Sequence, residues 1–288
     1  MNATKIIAEI GINFAYGTNR NQFLTNVCDL IDAAKVAGCD YVKFQKRTPE
    51  ICVPYAEKMK PKRVPWREEE TTYIQYKEDI ELSHQDYHII DRHCQSRGIK
   101  WFASVWDTES VDFMKEWKEE GLAYADIMKI PSALITDVDL CSYARDNSSL
   151  LIISTGMSTE EEIMRCVKYC QPDVIMHTNS TYPSKVEDLK LEYIKWIKEK
   201  YSAEVGYSGH EFGLITTMAA VCIGATWVER HVTLDRTLWG SDQMASVEPQ
   251  GLMKLVKGIR DIEKSMGGYE PRQVMGSELE KRKSLRGT

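Results

Sequence analysis

The chain has 288 residues, of which 43% are hydrophobic and 28% charged, with a formal net charge of −6. That length and apolar content support one large α/β barrel or two ordinary domains, and they exclude a globally disordered chain. The acidic balance argues against a nucleic-acid binder that works through bulk charge, and the basic stretch Lys281-Arg282-Lys283 reads as a short solvated tail.

No apolar run reaches the length of about 18 residues that a transmembrane helix needs, so no membrane association is expected. The N-terminal segment lacks a signal-peptide cleavage pattern. The eight cysteines are scattered with no C-x-x-C pair. They predict reduced thiols in a cytoplasmic protein rather than a disulfide framework.

Taken in chain order, the first apolar run, 5–11, predicts a strand, and 22–37 an amphipathic helix that Gly38 caps. A second strand is expected at 40–45. The stretch 47–82, with prolines at 49, 54, 61 and 65, reads as a long irregular connection. Connections of that length in a compact domain are usually functional. Next come a helix at 85–97 behind Ser83 as N-cap, a strand at 100–104 and a helix at 109–117. Strands at 126–130 and 150–155 flank a helix at 137–146. A capping box from Ser158 to Glu161 introduces a helix at 160–170. A strand at 174–178, a helix at 186–200, a strand at 204–208 and a helix at 214–224 follow. The series closes with a strand at 226–232 and a helix at 250–266.

The strands are too continuously apolar for a half-exposed sheet, as parallel strands covered on both faces are. Eight strands, each followed by a helix, predict an α/β protein of the (β/α)8 TIM-barrel class occupying 1–288 as one domain. The alternative, a doubly wound open sheet, lacks a G-x-G-x-x-G after its first strand.

Polar residues recur where these strands end: Glu9, Lys43 and Gln45, Ser104, Lys129 and Ser132, Ser154, Ser180, Ser208 and His210, then Glu229 and His231. Barrel enzymes build their sites at that end. A set on eight successive strands is hard to explain as packing, because each buried polar group needs a partner. Lys43 and Lys129 with the hydroxyls of Ser104, Ser132, Ser154, Ser180 and Ser208 suit a phosphate. A Schiff-base lysine at either position is the competing chemistry. His210 and His231, ending adjacent strands, suit a divalent metal or hydrogen bonds within the site. Glu9, Glu229 and Asp242 are the acidic candidates for proton transfer or for supporting a metal. His84 and His88 read as a solvated helix face, His177 as a core or barrel-mouth histidine, and Cys166 with Cys170 as packing.

The segments Ala8-Glu9-Ile10-Gly11-Ile12-Asn13, Val42-Lys43-Phe44-Gln45, Lys129-Ile130-Pro131-Ser132, Ser154-Thr155-Gly156-Met157-Ser158, Gly206-Tyr207-Ser208-Gly209-His210-Glu211 and Glu229-Arg230-His231-Val232-Thr233-Leu234-Asp235 occur in that order. Gly240-Ser241-Asp242 and Ala245-Ser246-Val247-Glu248-Pro249 continue the series. Together they resemble the N-acetylneuraminate (sialic acid) synthase family over nearly the whole chain.

The resemblance implies a transferase that condenses phosphoenolpyruvate with an N-acetylated amino-sugar aldehyde. The acceptor would be N-acetylmannosamine or a diacetamido-trideoxyhexose, and the products a nonulosonic acid and phosphate. It implies that Lys43, Ser104, Lys129, Ser132, Ser154, Ser180 and Ser208 hold phosphoenolpyruvate. His210 and His231 would bind Mn2+ or Mg2+. Gln45, Tyr182 and Asp242 would contact the sugar, and Glu9, Glu229 and Asp242 would be catalytic. Pairing as a homodimer is a further expectation. Three departures accompany the resemblance. Phe14-Ala15-Tyr16-Gly17 replaces the usual His-x-Gly. Leu134 stands where an acidic residue is common. The sequence ends at Thr288, about where the family's small antifreeze-like domain would begin.

Overall fold

The computed structural model describes residues 3–119, 126–268 and 270–287. Eight parallel strands close into a barrel in which every strand pairs with its neighbours in sequence. They are β1 (Lys5–Glu9), β2 (Tyr41–Lys46), β3 (Lys100–Val105), β4 (Ile127–Ile130), β5 (Leu150–Ser154), β6 (Val174–Thr178), β7 (Glu204–Gly209) and β8 (Trp227–His231). The helices between and after them are α1 (Arg20–Ala37), α2 (His84–Arg97), α3 (Thr108–Glu119), α4 (Val138–Asn147), α5 (Glu160–Cys170), α6 (Tyr193–Lys200), α7 (Ile215–Cys222) and α8 (Pro249–Met266). The (β/α)8 architecture expected from the alternation of elements is therefore present.

Two layers of apolar side chains hold it. Ile7, Tyr41, Phe102, Ile152, Val174, Met176 and Trp227 form one buried cluster, in which Tyr41 stacks on Trp227 at 5.7 Å. Gly206 leaves room there, because a Cβ would lie 3.0 Å from both Met176 and Trp227. The larger cluster, which includes Val27, Leu30, Phe44, Trp101, Trp117 and Leu255, joins the helices to the outer face of the strands. Removing a ring such as Trp101 or Trp117 from such a layer costs roughly 3–5 kcal/mol.

Local signals differ from expectation in four places. The capping box of α5 uses Thr159 and Glu162, one residue later than Ser158 and Glu161, because Thr159 takes the extended N-cap backbone. The segment 186–200 splits into a 3-10 turn, Val186–Asp188, and α6. The stretch 47–82 is a connection but not irregular: it holds helices Pro49–Cys52, Tyr55–Lys58 and Tyr73–Ile80 and a small antiparallel pair, Pro61–Lys62 with Thr71–Thr72. It is anchored where Trp66 packs edge-on against Phe23 and Trp239, and where Asp107 accepts the Thr48 amide at 2.6 Å. The basic end of the chain forms an exposed helix, Leu279–Arg286.

His84 and His88 are surface residues, but they pack on Trp117 at 5.1 and 4.6 Å between ring centres. His177 is buried in β6, its Nε2 2.6 Å from the Leu189 carbonyl. Cys166 lies 3.6 Å from Cys170 and 3.7 Å from Cys141, and all three thiols are buried. Among the described residues no helix is long and apolar enough to cross a membrane.

Candidate active site

Strand register places the polar ends of the strands side by side. Glu9 is level with His231 on one side and with Lys43 on the other. Gln45 is level with Ser104, and Ser104 with Lys129. Glu229 is level with Ser208, and Ser208 with Thr178. Each of these strands buries its preceding apolar residues, which fixes which face the polar end presents.

The outcome is a cavity of about 180 Å3 at the C-terminal mouth of the barrel. Its lining contains Glu9, Lys43, Gln45, Ser104, Lys129, Ser132, Ser154, Ser180, Tyr182, Ser208, His210, Glu229 and His231. The structure thus brings together every candidate residue except Asp242. That residue lies on the loop after β8 in an adjoining pocket, with Oδ2 3.8 Å from Nδ1 of His231.

The floor of the cavity is a buried array of alternating charge. Lys43 Nζ is 2.6 Å from Glu9 Oε2 and 3.7 Å from Glu229 Oε1. Lys129 Nζ is 2.7 Å from the same Glu229 oxygen. Ser104 accepts a hydrogen bond from Lys43 at 2.8 Å, and Ser208 donates to Glu229 at 3.1 Å. Gln45 donates to Glu9 at 2.8 Å. Burial works to raise the Glu229 carboxyl, but Lys129 and Lys43 outweigh it and hold it down at about 2. Burial dominates at Glu9 and raises it. Lys129 is pushed down to about 8 by burial, against the pull of Glu229. Each of the four buried groups thus has a neighbour of opposite type within 2.7 Å, the condition under which ionisable groups are tolerated away from water.

One wall of the cavity is made of hydroxyls. Ser132 accepts the Gly156 amide at 3.1 Å. A Cβ on Gly156 would come within 2.1 Å of the Ser180 oxygen and 2.8 Å of the Ser132 oxygen, so only glycine fits between them. The Ser154 hydroxyl is buried and makes no hydrogen bond within the protein. Such a group is a donor waiting for a ligand.

The two imidazoles sit at the edge, their rings 5.3 Å apart. His210 Nδ1 is 2.6 Å from the Asn179 carbonyl, which makes that nitrogen the donor and leaves Nε2, 2.9 Å from the Tyr182 hydroxyl, with its lone pair inward. Nδ1 of His231 is buried without a hydrogen-bond partner. Burial lowers both rings, to about 3 for His210 and about 4 for His231, and each is further depressed by positive neighbours. Both are therefore neutral bases near pH 7. Two neutral imidazoles, one with its Nε2 lone pair toward the Tyr182 hydroxyl and one with Nδ1 unpartnered, suit a divalent cation whose remaining positions water and substrate would fill. Among the described residues, no group of three or more His, Cys, Asp or Glu is arranged as a complete ligand set.

Sequence patterns did not flag Trp106, Met157 and Thr178, which also line the cavity. Trp106 lies two residues beyond Ser104, so the strand-end rule could have found it. Arg47, Lys77 and Leu134 line the adjoining pocket, which the 47–82 connection helps to form. Asn13 ties the exits of β1 and β8 together through hydrogen bonds to the Val232 carbonyl and the Ser246 hydroxyl. Outside the cavity, Arg230 and Glu211 form a buried ion pair at 3.2 Å that joins β8 to the exit of β7.

A barrel whose mouth holds paired lysines, a hydroxyl wall and two neutral imidazoles has the parts of a phosphoryl-substrate enzyme. The family model that matches residues 30–271 is that of the NeuB family, and the chain belongs to it. It is 32% identical to the N,N'-diacetyllegionaminic acid synthase of Legionella pneumophila over 92% of this chain and 74% of that one. It is 32% identical to the human N-acetylneuraminate-9-phosphate synthase over 91% of this chain and 71% of that one. Among solved structures, the N-acetylneuraminic acid synthetase of Leptospira borgpetersenii, in complex with citrate, superposes with a TM-score of 0.80. That pair is 29% identical over 100% of this chain and 94% of the other. A truncated 3-deoxy-D-arabino-heptulosonate 7-phosphate synthase from Thermotoga maritima shares the fold at a TM-score of 0.65 and 14% identity, covering 92% of this chain and 88% of that one.

Proposed function

We propose that this protein condenses phosphoenolpyruvate with an N-acetylated amino-sugar aldehyde to give a nonulosonic acid and phosphate. The observation that carries the reading is the charge array of Glu9, Lys43, Glu229 and Lys129 beneath a wall of serine hydroxyls and beside two neutral imidazoles. Family membership and the relatives' names support the same class of reaction.

Lys43 and Lys129 neutralise the anionic groups of phosphoenolpyruvate, and Ser104, Ser132, Ser154, Ser180 and Ser208 donate hydrogen bonds to its oxygens. Gln45, Tyr182 and Asp242 orient the sugar, whose aldehyde carbon faces C3 of the enol. The acceptor is N-acetylmannosamine or another acylated hexose of that kind. His210 and His231 hold a divalent cation, Mn2+ or Mg2+, which when bound supplies a Lewis acid for the aldehyde oxygen.

The electron pair of the C2–C3 double bond forms the new bond to the aldehyde carbon. The aldehyde oxygen takes up a proton. Water, oriented by Glu9 and Glu229, adds to C2 and loses a proton to a carboxylate. The C2–O bond to phosphate then breaks, leaving a 2-keto acid with three more carbons than the acceptor.

Phosphoenolpyruvate carrying 18O in the bridging position tests the reading. The label is expected in the released phosphate. Label retained in the organic product would mean that the P–O bond breaks, and would overturn the assignment.

A further inference from the structure

The loop after β8 is stitched to the barrel by side chains, Asn13 and Ser246, that line neither the cavity nor the adjoining pocket. Asn13 is fully buried, and both hydrogens of its amide nitrogen are committed. One goes to the Val232 carbonyl at 2.8 Å and the other to Ser246 Oγ at 2.7 Å. Ser246 passes its own hydrogen to the Asp242 carbonyl at 2.7 Å. The amide orientation is fixed, because turning it over would set the Asn13 side-chain oxygen against the Val232 carbonyl. Gln243 backs the junction, donating to the Asn13 carbonyl at 3.1 Å and accepting from Thr233. Val232 directly follows His231. One amide nitrogen therefore ties the strand end that carries His231 to the loop that carries Asp242.

The cost of this arrangement points to a task beyond holding the fold. Asn13 Oδ1 is buried with no hydrogen-bond partner in the protein, a penalty that an apolar side chain of the same shape would avoid. What the amide secures is the placement of Asp242, whose Oδ2 lies 3.8 Å from Nδ1 of His231. That distance is too long for a hydrogen bond but short enough for the carboxylate charge to act on a buried ring. A neutral imidazole carries one proton, and His231 Nδ1 has no hydrogen-bond partner of its own. The negative charge draws the proton to Nδ1 and leaves the lone pair on Nε2, the form an imidazole needs in order to hold a cation through that atom. We propose that Asn13 and Ser246 are positioning residues which, acting through Asp242, hold His231 in its Nδ1–H tautomer. The inference rests on the condensation reading above for the use made of His231, and its test needs no substrate.

The test is 15N–1H correlation NMR of the intact protein, labelled in its histidine rings, at about pH 7 with no substrate or metal added. The His231 signals are identified by their loss in His231→Gln. His210 serves as the internal control, since the Asn179 carbonyl makes its Nδ1 the donor independently of Asn13. In the native protein the Nδ1–H form of His231 is expected to exceed the Nε2–H form by about tenfold or more. Asn13→Ala and Ser246→Ala should each bring that ratio toward unity and leave His210 unchanged. Ser246→Ala keeps the Asn13 bond to Val232, so it reads the Asp242 arm even where Asn13→Ala fails to fold. In an Asp242→Asn background, Ser246→Ala should change the ratio no further. A native ring protonated on Nε2, a ratio that Ser246→Ala leaves intact, or equal changes at His210 and His231 would overturn the inference. With no phosphoenolpyruvate or sugar present, any of these results leaves the condensation reading to be judged by its own isotope experiment.

Discussion

Lys129 and Glu229, 100 positions apart in sequence, meet across the barrel mouth with Nζ 2.7 Å from Oε1. Both are buried, and the same carboxylate oxygen is also 3.7 Å from Lys43. Breaking one side of a buried pair leaves an uncompensated charge. Lys129→Met is therefore expected to lower unfolding stability by roughly 3–5 kcal/mol and to abolish phosphoenolpyruvate binding. The double variant Lys129→Met/Glu229→Leu should recover much of the stability and none of the binding. Denaturant unfolding of the set checks this, and a double variant no more stable than the single one would show that the pair is not the coupled unit.

The position of Lys129 sets a pH dependence. Burial lowers it to about 8, below the ordinary lysine value, so its cationic fraction falls as pH rises through that point. Catalytic efficiency toward phosphoenolpyruvate should decline above about pH 8, approaching about tenfold per unit. Stability moves the other way. The unfolded chain keeps its lysine protonated to about pH 10.4 and so binds more protons than the folded chain between these values. The contribution of Lys129 to folding therefore improves as pH rises across that window. A kcat/KM profile flat to pH 10 would contradict the assignment of Lys129 as a phosphate-binding cation.

Gly156 provides a steric test. Because a Cβ there would collide with the Ser180 and Ser132 oxygens, Gly156→Ala should displace one or both hydroxyls. The expected effect is a rise of about tenfold in KM for phosphoenolpyruvate, the loss of roughly one hydrogen bond to a charged group. The fold should survive, since the glycine lies at the mouth and not in the apolar layers. Circular dichroism and steady-state kinetics together decide it, and unchanged KM would place the phosphate away from this wall.

The metal expectation has a readout independent of turnover. Titration with Mn2+, followed by electron paramagnetic resonance of the free ion, should show one tight site in the intact protein. His231→Ala and His210→Ala should each weaken it about tenfold or more, as loss of an imidazole ligand does. Equal affinity in all three proteins would mean that the imidazoles serve only as hydrogen-bonding groups.

Much of this arrangement is legible in the sequence because a barrel is a local code repeated. Apolar runs such as 150–155 and 174–178 become β5 and β6 with ends displaced by at most a residue. The polar residue that closes each run falls at the mouth. The rule fails where placement depends on tertiary contacts. Lys77 has the pattern of an ordinary amphipathic helix residue, and only the docking of the 47–82 connection through Trp66 and Asp107 turns it into the pocket. Asp242 likewise sits on a loop, and the same rule could not tell the cavity from its neighbour. The offset in the α5 capping box arose because Ser158 and Thr159 are both good caps, and backbone geometry alone chooses between them. The choice between phosphate-binding and Schiff-base lysines was open in the sequence. In the structure Lys129 and Lys43 lie 2.7 and 3.7 Å from the same Glu229 oxygen.

The most direct test of the account is phosphate release from phosphoenolpyruvate in the presence of Mn2+ and a panel of N-acetylated hexosamines, with and without a 6-phosphate, and with His231→Ala as the control. Sugar-dependent release that disappears in the control is the predicted result. Release that is independent of sugar, or that survives in His231→Ala, would contradict it.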